Sequence, residues 1–401
     1  MTRLAWLVAL AACSSHATVT GDAPSSDAPA TDAGAPVDAA SVTVLATGTV
    51  SNVSYRAACS AGVGKPVGAA QPDFRCAQIT VSCPGLDDAV AEVALTPTSA
   101  GTSKGAIVTH SGSEGLTFEA GSFQQQLAAL GWDLGQIAWD APWECPKHIG
   151  AACAVDPAPA ATRLGLKDAA CRPATVIKWI HEQAQRPDGS AFWTTGRPFC
   201  GTGGSAGSGV FWFSLAHYGL SSEIDYALLT ASSPFGRVEV GCDPSYATTR
   251  IQPACQNVTA PDVPLNYDSA GSGTDPNGGA APALDKWFST QGCDAAPTAD
   301  DLALYARNSI LSPGADYGFA TPVSTYDCVD PKTVNVVPGL GQYVFAAVHA
   351  NDPQSVKFKS ECVVTGPSGN GTCSGEGALQ DPTALANAVA DLDTNCKVLT
   401  R

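Results

Sequence analysis

The sequence predicts an α/β protein whose mostly parallel central sheet is covered by helices on both faces. Two observations carry that expectation. From residue 41 onward, short apolar runs alternate with stretches of helical period, the pattern of successive strand–helix–strand units. A Gly-rich turn at residues 201–209 also sits between an apolar strand and an apolar helix. The chain has 401 residues, and the about 360 that follow its N-terminal leader and linker are enough for one large domain with insertions. It contains no internal repeat.

Residues 41–53 alternate apolar and small polar side chains and read as a first strand, with residues 77–82 and 89–95 as two more. Pro84-Gly85 punctuates them. Residues 105–110 form a short strand that runs into the loop Ser111-Gly112-Ser113-Glu114-Gly115. Residues 123–130 have helical period and stop at Gly131. Residues 134–139 read as a buried strand with Asp140-Ala141-Pro142-Trp143 at its tip. Residues 174–185 follow Pro173 and place Val176, Ile177 and Ile180 on one helical face. Residues 210–217 are apolar enough for a buried helix, and 224–230 read as a strand.

From about residue 235 to 317 the rhythm breaks. Pro, Gly, Asp and Asn are frequent, with helical stretches near 284–288 and 301–310. This reads as an insertion of the kind that forms a lid, and Tyr267, Trp287 and Tyr305 are its candidates for lining an acyl or polymer site, against the plainer alternative of core aromatics. Residues 342–348 then return to a strongly apolar strand, 361–365 give a shorter one, and 382–392 a last amphipathic helix.

The N-terminus reads Met1-Thr2-Arg3 and then an uninterrupted apolar run over residues 4–12, a charged region followed by a short hydrophobic one. That run is too short to span a bilayer, which needs about 20 apolar residues. Leu10-Ala11-Ala12-Cys13 resembles the lipobox of bacterial lipoproteins. The resemblance implies a signal peptide over residues 1–12, lipidation of Cys13 and, with Ser14 following, an outer-membrane anchor facing the periplasm or the cell surface. The alternative is an ordinary secretory signal with a chance cysteine; either exports the protein. Residues 13–40 are mostly Ala, Asp, Ser, Pro, Thr and Gly and cannot bury enough apolar surface to offset ordering, so they read as a disordered tether. A net charge of −16 argues against nucleic acid and anionic membrane surfaces as partners. The lipid anchor is then the sole expected link to a membrane.

Fifteen cysteines without a C-x-x-C motif fit an exported, disulfide-rich chain. Setting Cys13 aside leaves an even number. Short-range pairs such as Cys76/Cys83, Cys145/Cys153, Cys242/Cys255 and Cys362/Cys373 are candidates, and Cys200 is either paired or a buried free thiol. The six histidines show no metal-ligand spacing, so neither a metal nor a cofactor is expected.

Gly203-Gly204-Ser205-Ala206-Gly207 matches G-x-S-x-G, a tight strand-to-helix turn that lifts a serine hydroxyl above the sheet edge. With 40 glycines in the chain, a turn without chemistry is the alternative, but the serine stands between an apolar strand and an apolar helix, where the motif has mechanical meaning. At these residues the chain from about 41 to 401 resembles the α/β-hydrolase superfamily, secreted esterases and lipases included. The resemblance implies a three-layer α/β-hydrolase-like fold with an insertion and a Ser205 acyl-enzyme acting on a small-molecule or polymeric ester. It implies an oxyanion hole from the backbone N–H of Ala206 together with Ser111 or Gly112. His110 then shapes that loop and is not the base. His217 is set aside as a core or surface histidine. The carboxylate matches Asp352, in the turn after the strand predicted at 342–348, against the alternative of a plain turn residue before proline.

The triad histidine should follow Asp352, yet no histidine lies beyond His349. Three explanations stay open. His349 reaches across to Ser205, oriented by Asp327, Asp330 or Asp352; Glu376, where the histidine would stand, acts as a carboxylate base; or catalysis is lost and the scaffold serves as a non-catalytic surface binding protein.

Overall fold

A computed structural model describes residues 42–99, 101–112, 114–154, 156–231, 233–246, 249–253, 255–265, 297–329, 341, 343–344, 347–348, 358–364, 371, 373 and 377–400. The expected signal peptide, Cys13 and the expected tether therefore lie outside the described residues, as do the stretch at 284–288, Tyr267 and Trp287.

The main strands are β1 (Thr49–Arg56), β2 (Arg75–Ser82), β3 (Ala89–Thr96), β4 (Ala106–His110) and β5 (Asp133–Trp139). A small hairpin of β6 (Lys147–Ile149) and β7 (Ala152–Ala154) intervenes before β8 (Phe199–Gly204) and β9 (Tyr226–Thr230). A second small pair, β10 (Arg250–Ile251) and β11 (Val263–Pro264), precedes β12 (Val323–Val329) and β13 (Phe358–Val364). Nine of these form one sheet in the order β1-β2-β3-β5-β4-β8-β9-β12-β13. Pairing is antiparallel from β1 to β3 and between β3 and β5, and parallel from β5 to β13.

Parallel strands need both faces covered, because their crossover helices lie on the faces. The helices are α1 (Ser122–Ala129), α2 (Leu166–Ala169), α3 (Cys171–Glu182), α4 (Ala206–Ala216), α5 (Val238–Cys242), α6 (Ala299–Arg307) and α7 (Pro382–Asn395). Successive side chains on the central strands divide between two cores. Ile107, Leu134, Tyr226 and Leu228 join Phe123 and Leu127 of α1 and Leu392 of α7. Val108, Ile137, Ala227 and Leu229 join Val176 and Ile180 of α3 and Phe211 of α4. Both sides of each strand are thus apolar, which is why these strands read as continuous apolar runs. The result is the three-layer α/β-hydrolase-like arrangement.

The structure corrects one expected strand, adds another and decides between the two alternatives for Tyr305. Tyr343, Val344, Ala347 and Val348, the described residues of the run expected as a strand, are helical; a short apolar run has no period long enough to separate the two states. The strand beside β9 is β12, which the sequence conceals because Ser324, Thr325 and Asp327 are polar yet buried. Tyr305 is 1% exposed and packs in the core with Leu304 and Ile310 rather than lining a site.

Six disulfides join described residues: Cys59–Cys76, Cys83–Cys171, Cys145–Cys153, Cys200–Cys396, Cys255–Cys362 and Cys328–Cys373. Of the short-range candidates, Cys145/Cys153 forms. Cys76, Cys83, Cys255, Cys362 and Cys373 take other partners, and Cys242 is bonded as well. Cys200 is no free thiol: its bond spans 196 residues and ties β8 to the end of α7. Cys59, Cys76 and Glu92 cluster closely enough to suggest a metal site, but the two sulfurs are already bonded to each other. No helix among the described residues is long and apolar enough to cross a membrane.

Candidate active site

The turn from β8 into α4 puts Ser205 at φ 52° and ψ −120°, a left-handed conformation that a non-glycine residue adopts only when its surroundings enforce it. Those surroundings are backbone hydrogen bonds. The Ser205 N–H donates to the carbonyls of Thr230 and Ala231, at 2.9 and 3.1 Å. Its own carbonyl accepts from the Ser208 N–H at 2.9 Å and from Ser208 Oγ at 2.6 Å. The same Ser208 hydroxyl also lies 3.1 Å from the Ala231 carbonyl, so the serine in α4 clamps both sides of the turn.

Close backbone approach explains the flanking glycines. A Cβ on Gly207 would lie 2.4 Å from the His110 carbonyl oxygen and 2.6 Å from that of Ser111. A Cβ on Gly203 would lie 2.5 Å from the Gly207 oxygen. Only glycine lets α4 start so close to the loop that leaves β4.

That loop is fixed by His110, which is fully buried. Its Nδ1–H donates to the Ser111 carbonyl at 2.8 Å, and its Nε2 accepts from Trp139 Nε1 at 2.9 Å. Trp143 meets the ring edge-on, with centroids 5.9 Å apart. Burial lowers the imidazole to about 4, so it is neutral at pH 7 and both nitrogens are occupied. His217, equally lowered by burial to about 4, bonds the Ile310 carbonyl at 2.8 Å.

Gly112 is the loop residue brought against the serine: a Cβ built on it would lie 3.4 Å from Ser205 Cβ. Ser111 is buried with its Oγ unpartnered among the described residues, and its carbonyl lies against Gly207 of α4. Ala206, the first residue of α4, has an N–H with no intrahelical acceptor by position, at the end where the helix dipole favours negative charge.

Ser205 opens into a cavity of about 370 Å³. Gly112, Thr230 and Ala231 form its wall beside the elbow. Phe123 and Gln124 of α1 close one side, and Gly377, Ala378, Leu379 and Gln380, just ahead of α7, the other. The segment where a triad histidine was expected therefore does reach the serine, although Glu376 lies outside the described residues. Asp352 and His349 lie outside them too, and the strand expected ahead of Asp352 is not found at Tyr343, Val344, Ala347 and Val348, which are helical.

No described histidine lines the cavity. Among the described residues, the titratable side chain that does is Glu119, which no sequence motif marks. The residue is part-exposed, but its Oε2 is buried and has no hydrogen-bond partner among the described residues. Burial raises its carboxyl to about 7, opposed by the neighbouring Gln124 amide. Its position could not be read from sequence because it belongs to a loop with no periodicity. Buried Glu144, by contrast, is pushed well up by burial and does not line this cavity.

No family model matches the chain, and no curated protein matches it. Among solved structures it is similar to brefeldin A esterase, described as a bacterial homologue of human hormone sensitive lipase. That similarity has 12% identity over 84% of this chain and 80% of that one, with a TM-score of 0.43. It is also similar to a highly thermostable carboxyl esterase from Bacillus coagulans, at 12% identity over 81% and 99% with a TM-score of 0.45. A third is acetyl xylan esterase 1 from Thermoanaerobacterium, at 10% identity over 84% and 88% with a TM-score of 0.44. At these identities and scores the likenesses carry no argument about the chemistry of this chain.

Proposed function

We propose that the protein is a serine hydrolase that cleaves an ester or related acyl bond through a Ser205 acyl-enzyme. One observation carries the reading: Ser205 is held in a strained left-handed turn at the mouth of a cavity, directly before the N-terminus of α4. A backbone constraint of that kind is maintained against its cost where it serves a function. As Ser205 Oγ attacks an acyl carbon, the carbonyl oxygen gains negative charge. The Ala206 N–H and the backbone of Gly112 flank the position where that charge develops, and preorganised donors there act without reorganisation. A second reading, a non-catalytic surface binding protein, draws on the lack of a described histidine in the cavity.

One experiment separates them. Purified protein should be labelled by a fluorophosphonate and should hydrolyse a short-chain nitrophenyl ester, and Ser205→Ala should abolish labelling and lower kcat/KM by at least about 10³-fold. A wild type that neither labels nor hydrolyses leaves the binding reading.

For location, the proposal is a lipoprotein of the bacterial envelope, anchored through Cys13, which would place the six disulfides in an oxidising compartment. Metabolic fatty-acid labelling should vanish in Cys13→Ser; labelling that persists moves the anchor elsewhere.

A further inference from the structure

A serine hydroxyl stays protonated at neutral pH and needs a base beside it to become a nucleophile. Every described histidine is committed elsewhere. His110 and His217 are bonded within the core. His148 bonds the Pro142 carbonyl at 2.9 Å, and His181 stacks on Trp193 with centroids 3.9 Å apart. None lines the serine cavity.

Glu119 is the carboxylate that the described residues bring to this cavity. It shares the cavity with Ser205. Its Oε1 lies 4.0 Å from where a Cβ on Gly204, the residue before the serine, would stand. Its other oxygen is buried without a partner among the described residues, leaving a free acceptor. The loop that carries it is anchored to the sheet, because Gln136 of β5 donates to the Glu119 carbonyl at 2.7 Å. Among the described residues, the groups facing it from the surrounding elements are neutral: Gln124 from α1, Thr230 from β9 and the elbow itself.

We propose that the Glu119 carboxylate is the general base for Ser205, in the role a histidine holds in the usual triad. This rests on the acyl-enzyme reading above. In the first half-reaction the Oγ–H bond breaks and its proton passes to a Glu119 oxygen while Oγ bonds the acyl carbon. The tetrahedral intermediate then collapses, and Glu119 returns the proton to the departing alcohol oxygen. In the second half-reaction Glu119 takes a proton from water as that water attacks the acyl carbon. It returns the proton to Ser205 Oγ as the acid leaves. A base works best with its affinity for protons near the working pH, and burial has moved this carboxyl to about 7.

The test measures the rate of fluorophosphonate labelling and kcat/KM for a short-chain ester from pH 5.5 to 8.5. The wild type, Glu119→Gln, Glu119→Asp, His349→Ala, Glu376→Gln and Ser205→Ala are compared, each checked for fold by circular dichroism. In the wild type both rates should rise with pH through a midpoint of about 7, because the base acts only when deprotonated. Folded Glu119→Gln should lose the rise and about 10²–10⁴-fold in rate, and Glu119→Asp should recover part of it. A folded Glu119→Gln that keeps the rise overturns the proposal, most directly if His349→Ala or Glu376→Gln loses it instead. Should Glu119→Gln not fold, the wild-type profile decides, since rates flat across this range exclude a base of this affinity. A wild type inert at every pH, or undiminished labelling of Ser205→Ala, removes the acyl-enzyme reading and the base with it.

Discussion

The elbow at Ser205 and the sheet edge formed by β12, β13 and α7 are held by different forces. At the elbow the close contacts are backbone against backbone: glycines let α4 lie against the loop after β4, and carbonyls of the neighbouring strand hold the Ser205 N–H. At the edge, buried polar groups and covalent bonds do the holding. Tyr326 OH donates to Asp391 Oδ2 at 3.1 Å, and Asn395 donates to Asp391 Oδ1. Lys359 approaches the same carboxylate at 3.4 Å, and Tyr226 OH donates to Ser324 at 2.5 Å. Cys328–Cys373 ties β12 onward, and Cys255–Cys362 holds β13. The lesson is that close packing demands particular residues at fixed spacing, whereas polar burial is satisfied by partners far away in the chain.

The two regions meet at Cys200–Cys396, which joins the strand carrying the serine to the end of α7. Replacing both cysteines by alanine sharpens the comparison most. The bond closes the longest loop of the six, and its loss should cost about 4 kcal/mol in chemical denaturation. A loss near zero would mean that the edge is held without it. Next is Gly207→Ala. Its Cβ would meet two carbonyl oxygens that can move only by shifting the loop bearing Gly112. About 2–3 kcal/mol of stability should go, together with most Ser205 labelling; unchanged labelling would break the claim that backbone contact sets this site. The smallest effect is expected from Tyr326→Phe. Lys359 and Asn395 still serve Asp391, so the loss should be about 1 kcal/mol, with labelling untouched. A loss several times larger would mean that the polar network acts as one unit.

These differences account for what was legible. Strands β4, β5, β8 and β9 announce themselves because each is apolar on both faces, and Gly203-x-Ser205-x-Gly207 announces the turn because no other residue fits there. β12 does not: Ser324 accepts from Tyr226 of β9 and Tyr326 donates to Asp391 of α7, and no local pattern records a partner 65 residues away in sequence. The disulfides follow the same rule. The short loop of Cys145–Cys153 is legible from spacing, but the 88-residue separation of Cys83–Cys171 is not.

The sequence by itself determined the alternation of strands and helices and the place of a strained serine, because both are local demands of packing and backbone geometry. Only the tertiary structure decided that Tyr343, Val344, Ala347 and Val348 are helical, that Gly112 lies against the serine, and that Glu119 shares its cavity. Side chains from separate loops are gathered by the fold as a whole, and a carboxyl moves toward neutrality only when distant segments close water away from it.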